Sequence, residues 1–309
     1  MLRFCLLPWG VEWTAIRAMR GEQLDTLDAL ARRAAAVDLV APKLYWPLLA
    51  HSDPGVLHLL GHDGSAPVVV ASSFCFGPDE LEFTCLVDPA ARRQGRCREA
   101  LARLGQLRAQ REPDACARLR VPAHLDASAD RLRDAGAQPV EAEHTMVARA
   151  DDVFALPLHD RRLTLRDASA DDAGLLAALD AASFGTRPDR TRPRFRANLA
   201  EDNRRVWIAE RHGVPVGKLH ARRDRDGVWV HDLCTDPDVR RQGLGREMVL
   251  RCTRRLLDGG LGRTETSVSL EVRTDNAAAV ATYARCAFET VRTDTMLELP
   301  LEAFNGALG

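Results

Sequence analysis

The sequence has 309 residues with 43 basic and 44 acidic side chains, so its formal net charge is −1. This length allows two ordinary domains or one large one, and a hydrophobic content of 46% excludes a disordered chain. The balanced charge excludes a protein held on nucleic acid or on a membrane surface by bulk charge. Only Lys43 and Lys218 are lysines, and we interpret the excess of arginine as codon bias in a GC-rich genome.

The eight cysteines and the histidines form neither a disulfide pattern nor a metal-site pattern. The cysteines are scattered without a CxxC pair. His58 and His62 are four residues apart, but their surroundings resemble a strand and lack a set of cysteines or carboxylates. The N-terminal apolar run is too short for export, and no segment approaches the roughly 20 apolar residues of a membrane span. We therefore predict a cytoplasmic protein without a metal site.

A twelve-residue segment occurs twice, at residues 88–99 and 236–247. Eight of its twelve positions are identical, at an offset of 148 residues that is close to half the chain. Each copy follows a strand-like run, at residues 81–87 and 228–235, and each begins a helix-like run. This repetition of motif and context indicates a duplication.

The duplication predicts two domains, over residues 1–158 and 159–309, which join near residues 157–161. For the second half we predict strand 163–166, helices 171–183 and 194–202, strands 206–210, 216–221 and 228–235, a helix after Gly245, strand 268–272, helix 276–285 and strand 290–299. The middle strands favour antiparallel pairing, and the late strand-helix-strand unit favours a parallel pair. The sequence thus predicts an α/β fold with a mixed sheet.

The second copy of the repeat has the composition of a phosphate-binding turn. Its central residues are Arg240, Arg241, Gln242, Gly243, Leu244, Gly245 and Arg246. They lie where a strand turns into a helix, whose first N–H groups are unpaired. Gly243 and Gly245 allow an anion to approach the backbone, and the arginines add positive charge. The turn is neither a Walker loop nor a GxGxxG fingerprint. A tight strand-to-helix corner without a ligand is the alternative.

Two segments together resemble the GCN5-related N-acetyltransferase (GNAT) family. Residues 230–246, with R-x-x-G-x-G at 240–245, look like its motif A. Residues 270–289 look like its motif B, LxVxxxNxxAxxxYxxxGF, with Ala287 at the usual glycine. The resemblance implies two tandem GNAT acyl-CoA N-acyltransferase folds. It covers the second half well, whereas the first half has a recognisable motif A only.

The resemblance also implies acetyl-CoA as co-substrate, lying where the motif A strand splays from the motif B strand. Backbone groups would bind its pantetheine arm and thioester; they belong to Leu233, Cys234 and Thr235. The N–H groups of residues 241–246 would hold the pyrophosphate, and Asn276 the CoA arm. Tyr283 would protonate the departing thiolate, because a phenol with a pKa of about 10 can donate to a sulfur held against it. The alternative for Tyr283 is an aromatic packed on a helix face.

The general base is less well defined by the sequence. Trp229 stands where the histone-type members have a glutamate, and the nearest titratable groups are His231 and Asp232. His220, on the preceding strand, is a third candidate. We predict His231, although a structural histidine is the alternative for each. A β-bulge is expected in this strand, so the parity of strand residues does not decide between them.

The implied reaction is direct transfer of an acetyl group to the primary amine of a small molecule or peptide. Acceptor specificity is expected from residues 184–203, which are rich in arginine. A CoA-responsive binding or regulatory protein is the alternative, and Tyr283 with an intact motif B favours the enzyme. We expect either a monomer with pseudo-dimeric halves or a homodimer.

The first half is predicted to be degenerate and not catalytic. Arg96 and Cys97 stand where the second copy has leucine and glycine, so a charged side chain and a Cβ enter the turn. Leu132 and Leu125 stand at the tyrosine and asparagine positions of motif B, and leucine can neither donate a proton nor bind the CoA arm.

Overall fold

The computed structural model describes residues 2–4, 11–38, 42–50, 56–64, 66–77, 80–111, 118–123, 126–134, 136–160 and 162–300. Leu125 lies outside the described residues. The chain forms two compact units, one of Met1–Ala142 with Asp294–Gly309 and the other of Glu143–Thr293. No helix in the described ranges is long and apolar enough to cross a membrane.

The first unit is a mixed sheet with helices along it. Its strands are β1 (Leu2–Phe4), β2 (Glu12–Ile16), β3 (Val56–Asp63), β4 (Ala66–Gly77), β5 (Glu80–Val87) and β6 (Arg118–Ala123), and its helices are α1 (Glu22–Asp38), α2 (Trp46–Ala50), α3 (Arg96–Arg111) and α4 (Asp126–Asp134). The strands lie in the order β1 to β6. In the part of this unit that the structure describes, neighbouring strands are antiparallel except for the parallel pair β5–β6.

The second unit repeats this plan. Its elements begin with β7 (Gln138–Arg149), which enters from the first unit, and continue with α5 (Ala150–Ala155), β8 (Leu163–Asp167), α6 (Ala173–Phe184), α7 (Pro188–Leu199), β9 (Arg204–Arg211), β10 (Val214–Asp224), β11 (Gly227–Thr235), α8 (Leu244–Leu257), β12 (Ser267–Arg273), α9 (Ala277–Ala284) and β13 (Phe288–Pro300). The order is β7-β12-β11-β10-β9-β8. Among the pairs described for this unit, β11–β12 is the parallel one, so the predicted mixed α/β sheet is confirmed.

The division between the units differs from the predicted boundary at residues 158 and 159. The end of β7 pairs with β12 from Glu143 to Arg149, within the second unit. The end of β13 pairs with β6 from Thr295 to Pro300, and Leu297 is fully buried in the core of the first unit. The end of the last strand of each half therefore belongs to the other unit. The sequence could not indicate this, because the two halves are duplicates and offer similar strand edges.

This strand exchange predicts which fragment folds. Residues 159–309 lack the end of β7, which brings Met146 and Ala148 into the core of the second unit. They also lack Val153 of α5, which belongs to the same core. Each large apolar side chain removed from a core costs about 1.5–3 kcal/mol of burial. We expect a fragment of residues 143–293 to unfold cooperatively on heating and residues 159–309 to lack a transition, as measured by circular dichroism. A cooperative 159–309 fragment of equal melting temperature would contradict the exchange.

The repeated segment adopts the same backbone in both units. Asp88 and Asp236 each cap a short 3-10 turn by accepting a hydrogen bond of 3.0 Å from the N–H two residues later. Gly95 and Gly243 follow in the left-handed region, with φ of 73° and 80°. The arginine two residues before each glycine has φ of 62° and 63°. This repeated geometry supports the duplication inferred from the sequence.

Helices pack on the sheet of the second unit as their apolar residues require. The predicted i+4 row on α8 is buried; its members are Leu244, Met248, Cys252 and Leu256. Ser169 forms a capping box with Asp172 ahead of α6. The next helix, α7, begins at Pro188 and not at Arg194, because proline suits the first helical position.

Candidate functional site

A gap between two parallel strands defines the candidate site in the second unit. Of the described residues, the last parallel partners are Val230 of β11 and Leu270 of β12. Beyond them β11 continues to Thr235 beside β10, and β12 continues to Arg273 beside β7. The sheet is therefore open between the ends of β11 and β12, as the predicted splay requires.

A β-bulge lies in β11 beside this gap. His220 pairs with His231 and Lys218 pairs with Cys234, so β11 has one more residue than β10 between these pairs. Asp232, in the bulge, has a left-handed backbone with φ of 47°, and its side chain is 42% exposed. The bulge that we expected from the sequence is present, and it turns the Asp232 carboxylate toward solvent.

The turn after β11 ends in a helix terminus that suits an anion. Gly243 is the N-cap residue of α8 and makes no side-chain capping bond. A Cβ at Gly245 would lie at an ordinary contact distance of 3.5 Å from Oγ1 of Thr235, and it would occupy space beside the turn that glycine leaves free. The first N–H groups of α8 also carry the positive end of the helix dipole. These features fit a pyrophosphate group.

Three of the charged and polar side chains of this turn, those of Arg240, Gln242 and Arg246, bond to the protein itself. Arg240 Nε donates to the carbonyl of Thr235 at 3.2 Å. Arg246 Nη1 donates to Glu247 Oε1 at 3.2 Å, and Gln242 Oε1 accepts from an arginine on β9 at 3.0 Å. The backbone N–H groups are therefore the better supported part of the predicted phosphate-binding turn.

Motif B places Asn276 and Tyr283 at the start and near the end of α9. Asn276 is the N-cap residue, and its Oδ1 accepts from the N–H of Ala279 at 3.2 Å. The ring of Tyr283 packs against the core, with its centroid 6.0 Å from that of Phe288. Burial, with a smaller effect of Cys286, raises the pKa of Tyr283 to about 12. Its phenol is therefore protonated at neutral pH and can act as a proton donor.

Cys234 has the features of a core residue. Its side chain is 4% exposed, and its Sγ lies 3.8 Å from the carbonyl of Leu179 on α6. Burial raises the pKa of the thiol, so it is not a ready nucleophile. Its predicted role through the backbone does not depend on the thiol.

A buried ion pair lies between the bulge and the helices α6 and α7. Lys218 is fully buried, and its Nζ is 2.9 Å from Asp180 Oδ1. The same Nζ donates to the carbonyl of Asp232 at 3.0 Å. Asp180 also accepts from Oγ1 of Thr186 at 2.7 Å. No pattern along the chain points to this pair; the available signal was a lysine in a chain that has only one other lysine and otherwise uses arginine.

The two histidines predicted as candidate bases are both held neutral. His220 is fully buried, stacks edge-on against Phe195 at 5.4 Å, and has Nδ1 3.6 Å from Asp232 Oδ2. Burial and then the charge of Lys218 lower the pKa of His220 to about 3. Burial and then Arg222 lower the pKa of His231 to about 4. A neutral imidazole can accept a proton, and His231 is the less buried of the two.

The buried histidines predict how stability depends on pH. His58, His220 and His231 have pKa values lowered by burial to about 4, 3 and 4. As pH falls below 6.5, the unfolded chain takes up these protons before the folded chain does. The free energy of unfolding should then decrease by up to about 1.4 kcal/mol per pH unit for each histidine, until pH reaches the folded pKa values.

Urea unfolding at several pH values between 7 and 5 measures this slope. His58 lies outside the candidate site, and His58→Phe removes one of the three histidines that take up a proton on unfolding. The free energy of unfolding of this variant should therefore depend less steeply on pH, whatever its value at pH 7. Equal slopes for the two proteins would contradict the lowered pKa of His58.

Comparison with known proteins agrees with this geometry. The model of the acetyltransferase (GNAT) family matches residues 173–288. The chain is 32% identical over 286 residues to the mycothiol acetyltransferase of Clavibacter sepedonicus, covering 86% of this chain and 88% of that protein. The chain belongs to the GNAT family. It is also 29% identical over 299 residues to the mycothiol acetyltransferase of Rhodococcus jostii RHA1, covering 89% and 94% of the two chains.

Solved structures agree with this GNAT assignment at the level of the fold. A tandem GNAT protein from the clavulanic acid biosynthesis pathway superimposes with a TM-score of 0.74 at 15% identity, over 94% of this chain and 98% of that one. A GCN5-related N-acetyltransferase from Sphaerobacter thermophilus gives 0.70 at 15% identity, over 96% and 97%. The predicted tandem GNAT fold is confirmed, and the protein is an N-acetyltransferase.

Proposed function

We propose that the second unit transfers the acetyl group of acetyl-CoA directly to a primary amine. The observation that carries this proposal is the gap between β11 and β12, which leads to the uncapped N-terminus of α8. A thioester arm fits the gap, and its pyrophosphate fits the helix terminus. Tyr283 follows on α9, in the helix after β12.

The residues of the second unit then have separate tasks. The backbone groups of Leu233, Cys234 and Thr235 bind the arm and its thioester. The N–H groups of residues 241–246 bind the pyrophosphate, and the side-chain NH2 group of Asn276, whose Oδ1 caps α9, binds the CoA arm. Acetyl-CoA supplies the activated acetyl group.

Two groups handle protons in the proposed reaction. Tyr283 Oη donates a proton to the sulfur that leaves; the phenol is protonated at neutral pH, and its pKa of about 12 makes it a weaker acid than an exposed tyrosine. His231 accepts the proton that the amine must lose to attack. Its pKa of about 4 leaves the imidazole neutral at pH 7 with a ring nitrogen that can accept the proton, although this pKa also makes it a weaker base than an ordinary histidine.

We propose that the first unit is not catalytic. Its turn retains the backbone of the second copy, but Cys97 stands at the position of Gly245. In its β4–β5 ladder, Ala71 pairs with Cys85 and Ser72 pairs with Thr84 without the extra residue that forms the bulge in β11. Leu132, at the tyrosine position, packs against the core.

For the acceptor we propose a mycothiol-type amine, because the two curated relatives above are named mycothiol acetyltransferases and align over most of both chains. A peptide amine is the alternative. The test offers acetyl-CoA with the free-amine form of mycothiol, with simple amino sugars and with peptides. Mass spectrometry should find acetylated product from the mycothiol amine first. A detector of free thiols is unsuitable because that acceptor itself contains a thiol.

The result that overturns the acceptor assignment is acetylation of peptides while the mycothiol amine stays unmodified. Acetyl-CoA binding without acetylated product from any of these amines would instead support a CoA-responsive binding protein.

A further inference from the structure

Lys218 is an exception in the composition of this chain. It is one of two lysines beside 41 arginines, and its side chain is completely buried. Its Nζ lies 5.5 Å from the ring centroid of Phe184 and 5.2 Å from that of Phe195. Arginine and lysine are not interchangeable in such a place, because the ammonium is compact whereas the guanidinium is a wide planar group. Codon bias therefore does not explain this residue.

The ammonium of Lys218 joins two parts of the second unit. On one side it pairs with Asp180 of α6, which is 2% exposed, at 2.9 Å. On the other it donates at 3.0 Å to the carbonyl of Asp232, the left-handed residue of the bulge in β11. Thr186 holds the second carboxylate oxygen of Asp180 at 2.7 Å. The bulge is thus tied to the helix that covers it.

Stability alone is a weak reason to keep such a pair. Removing two charges from water costs free energy that their attraction often only offsets, and replacing a buried pair with apolar residues is frequently neutral or stabilising. Breaking the pair by removing one partner is costly, because the other charge stays buried. The ion pair fixes the relative positions of the groups that it joins, whereas an apolar contact of the same volume does not.

The first unit provides an internal comparison. At the repeat offset, Val70 occupies the position of Lys218 and pairs with Leu86 as Lys218 pairs with Cys234. Both residues of this first-unit pair are buried in an apolar cluster. The β4–β5 ladder then runs regularly where β11 has its bulge. The unit with the buried lysine has a bulge at this position, and the unit without the lysine pairs regularly there.

We infer that the Lys218–Asp180 pair is a positioning device that fixes the Asp232 bulge against α6 and thereby sets the acceptor side of the gap. This inference rests on the proposed function. Lys218 acts through the backbone of Asp232, so it is a positioning residue. His231 and Leu233 flank that backbone, and their orientation follows from it. The pyrophosphate site lies on α8, so loosening the bulge should impair use of the acceptor more than binding of CoA.

The test replaces the whole pair with apolar residues of similar volume, in the full chain. The variant is Lys218→Met with Asp180→Leu, and the matched control is Lys43→Met, the same change at the other lysine. Four quantities are compared with the wild type: the melting temperature, the Kd for CoA by calorimetry, kcat/KM for the free-amine form of mycothiol, and hydrogen exchange of the backbone amides of residues 180–199.

We expect the double variant to melt within a few degrees of the wild type and to bind CoA within about threefold. Its kcat/KM for the amine should fall by up to about 10²-fold, the loss that a misplacement of about 1 Å can cause, and its amides at 180–199 should exchange faster. The control should match the wild type in all four. An unchanged kcat/KM together with unchanged exchange overturns the inference.

Two further outcomes are also decisive. If the wild type acetylates none of the amines, the proposed function fails, and the exchange at residues 180–199 alone decides on the positioning role. If the double variant does not fold, Lys218→Gln with Asp180→Asn replaces it, because this pair of changes removes both charges and keeps polar side chains of similar shape. That variant should show the same fall in kcat/KM, and wild-type activity in it would overturn the inference.

Discussion

Replacing Tyr283 with phenylalanine should lower kcat by about 10²–10⁴-fold, the range of general acid catalysis, and leave the affinity for acetyl-CoA unchanged. The phenol acts on charge that develops as the sulfur leaves, so its loss affects the transition state and not the bound ground state. The ring packs against Phe288 and the core, and phenylalanine keeps that contact.

Steady-state kinetics and calorimetry on Tyr283→Phe measure the two effects separately. The control is Tyr45→Phe, the same change at the only other tyrosine of the chain, which lies in the first unit. It should keep the wild-type rate. A Tyr283→Phe protein with the wild-type kcat would remove Tyr283 from the mechanism.

Replacing Gly243 with valine should weaken CoA binding by about 10–10²-fold, equivalent to losing one or two hydrogen bonds to a charged group. Gly243 has φ of 80°, which a β-branched residue adopts only with strain, and a side chain there enters the approach to the N-terminus of α8. Calorimetric titration with CoA measures the loss.

Gly95→Val is the matched control for this change. Gly95 holds the equivalent place in the first unit with φ of 73°, so both variants bear similar backbone strain. We expect the Gly95→Val protein to lose stability but to bind CoA with the wild-type affinity and to react at the wild-type rate, since the first unit is proposed not to be catalytic. If the two variants lose CoA affinity equally, CoA binding is not confined to the second unit.

The sequence could indicate the parts of the site that lie close together along the chain. The turn at Gly243 and the helix N-cap at Asn276 are local features with defined spacing, and the structure has both where motifs A and B predict them. The bulge near Asp232 was also expected, but its exact residue depends on the β10–β11 register, which the spacing of one strand does not contain.

Features that depend on tertiary contacts were beyond the sequence. Lys218 and Asp180 are distant in sequence and meet only when α6 packs on the sheet. The side chain of Arg246, which was expected to add positive charge to the turn, bonds to Glu247 and to the carbonyl of Pro157, and no local pattern signals these contacts. The exchange of β7 and β13 could not be predicted for the same reason, because the pairing of strand edges depends on tertiary contacts and not on local sequence.

The most direct test of the account follows a labelled acetyl group from acetyl-CoA in a reaction of the full chain with the free-amine form of mycothiol. Mass spectrometry of the quenched mixture locates the label. We predict that the label appears on the amine nitrogen of the product, with one CoA released for each acetyl group and no label on the protein. Label that stays on acetyl-CoA while calorimetry records its binding to the protein would contradict the account.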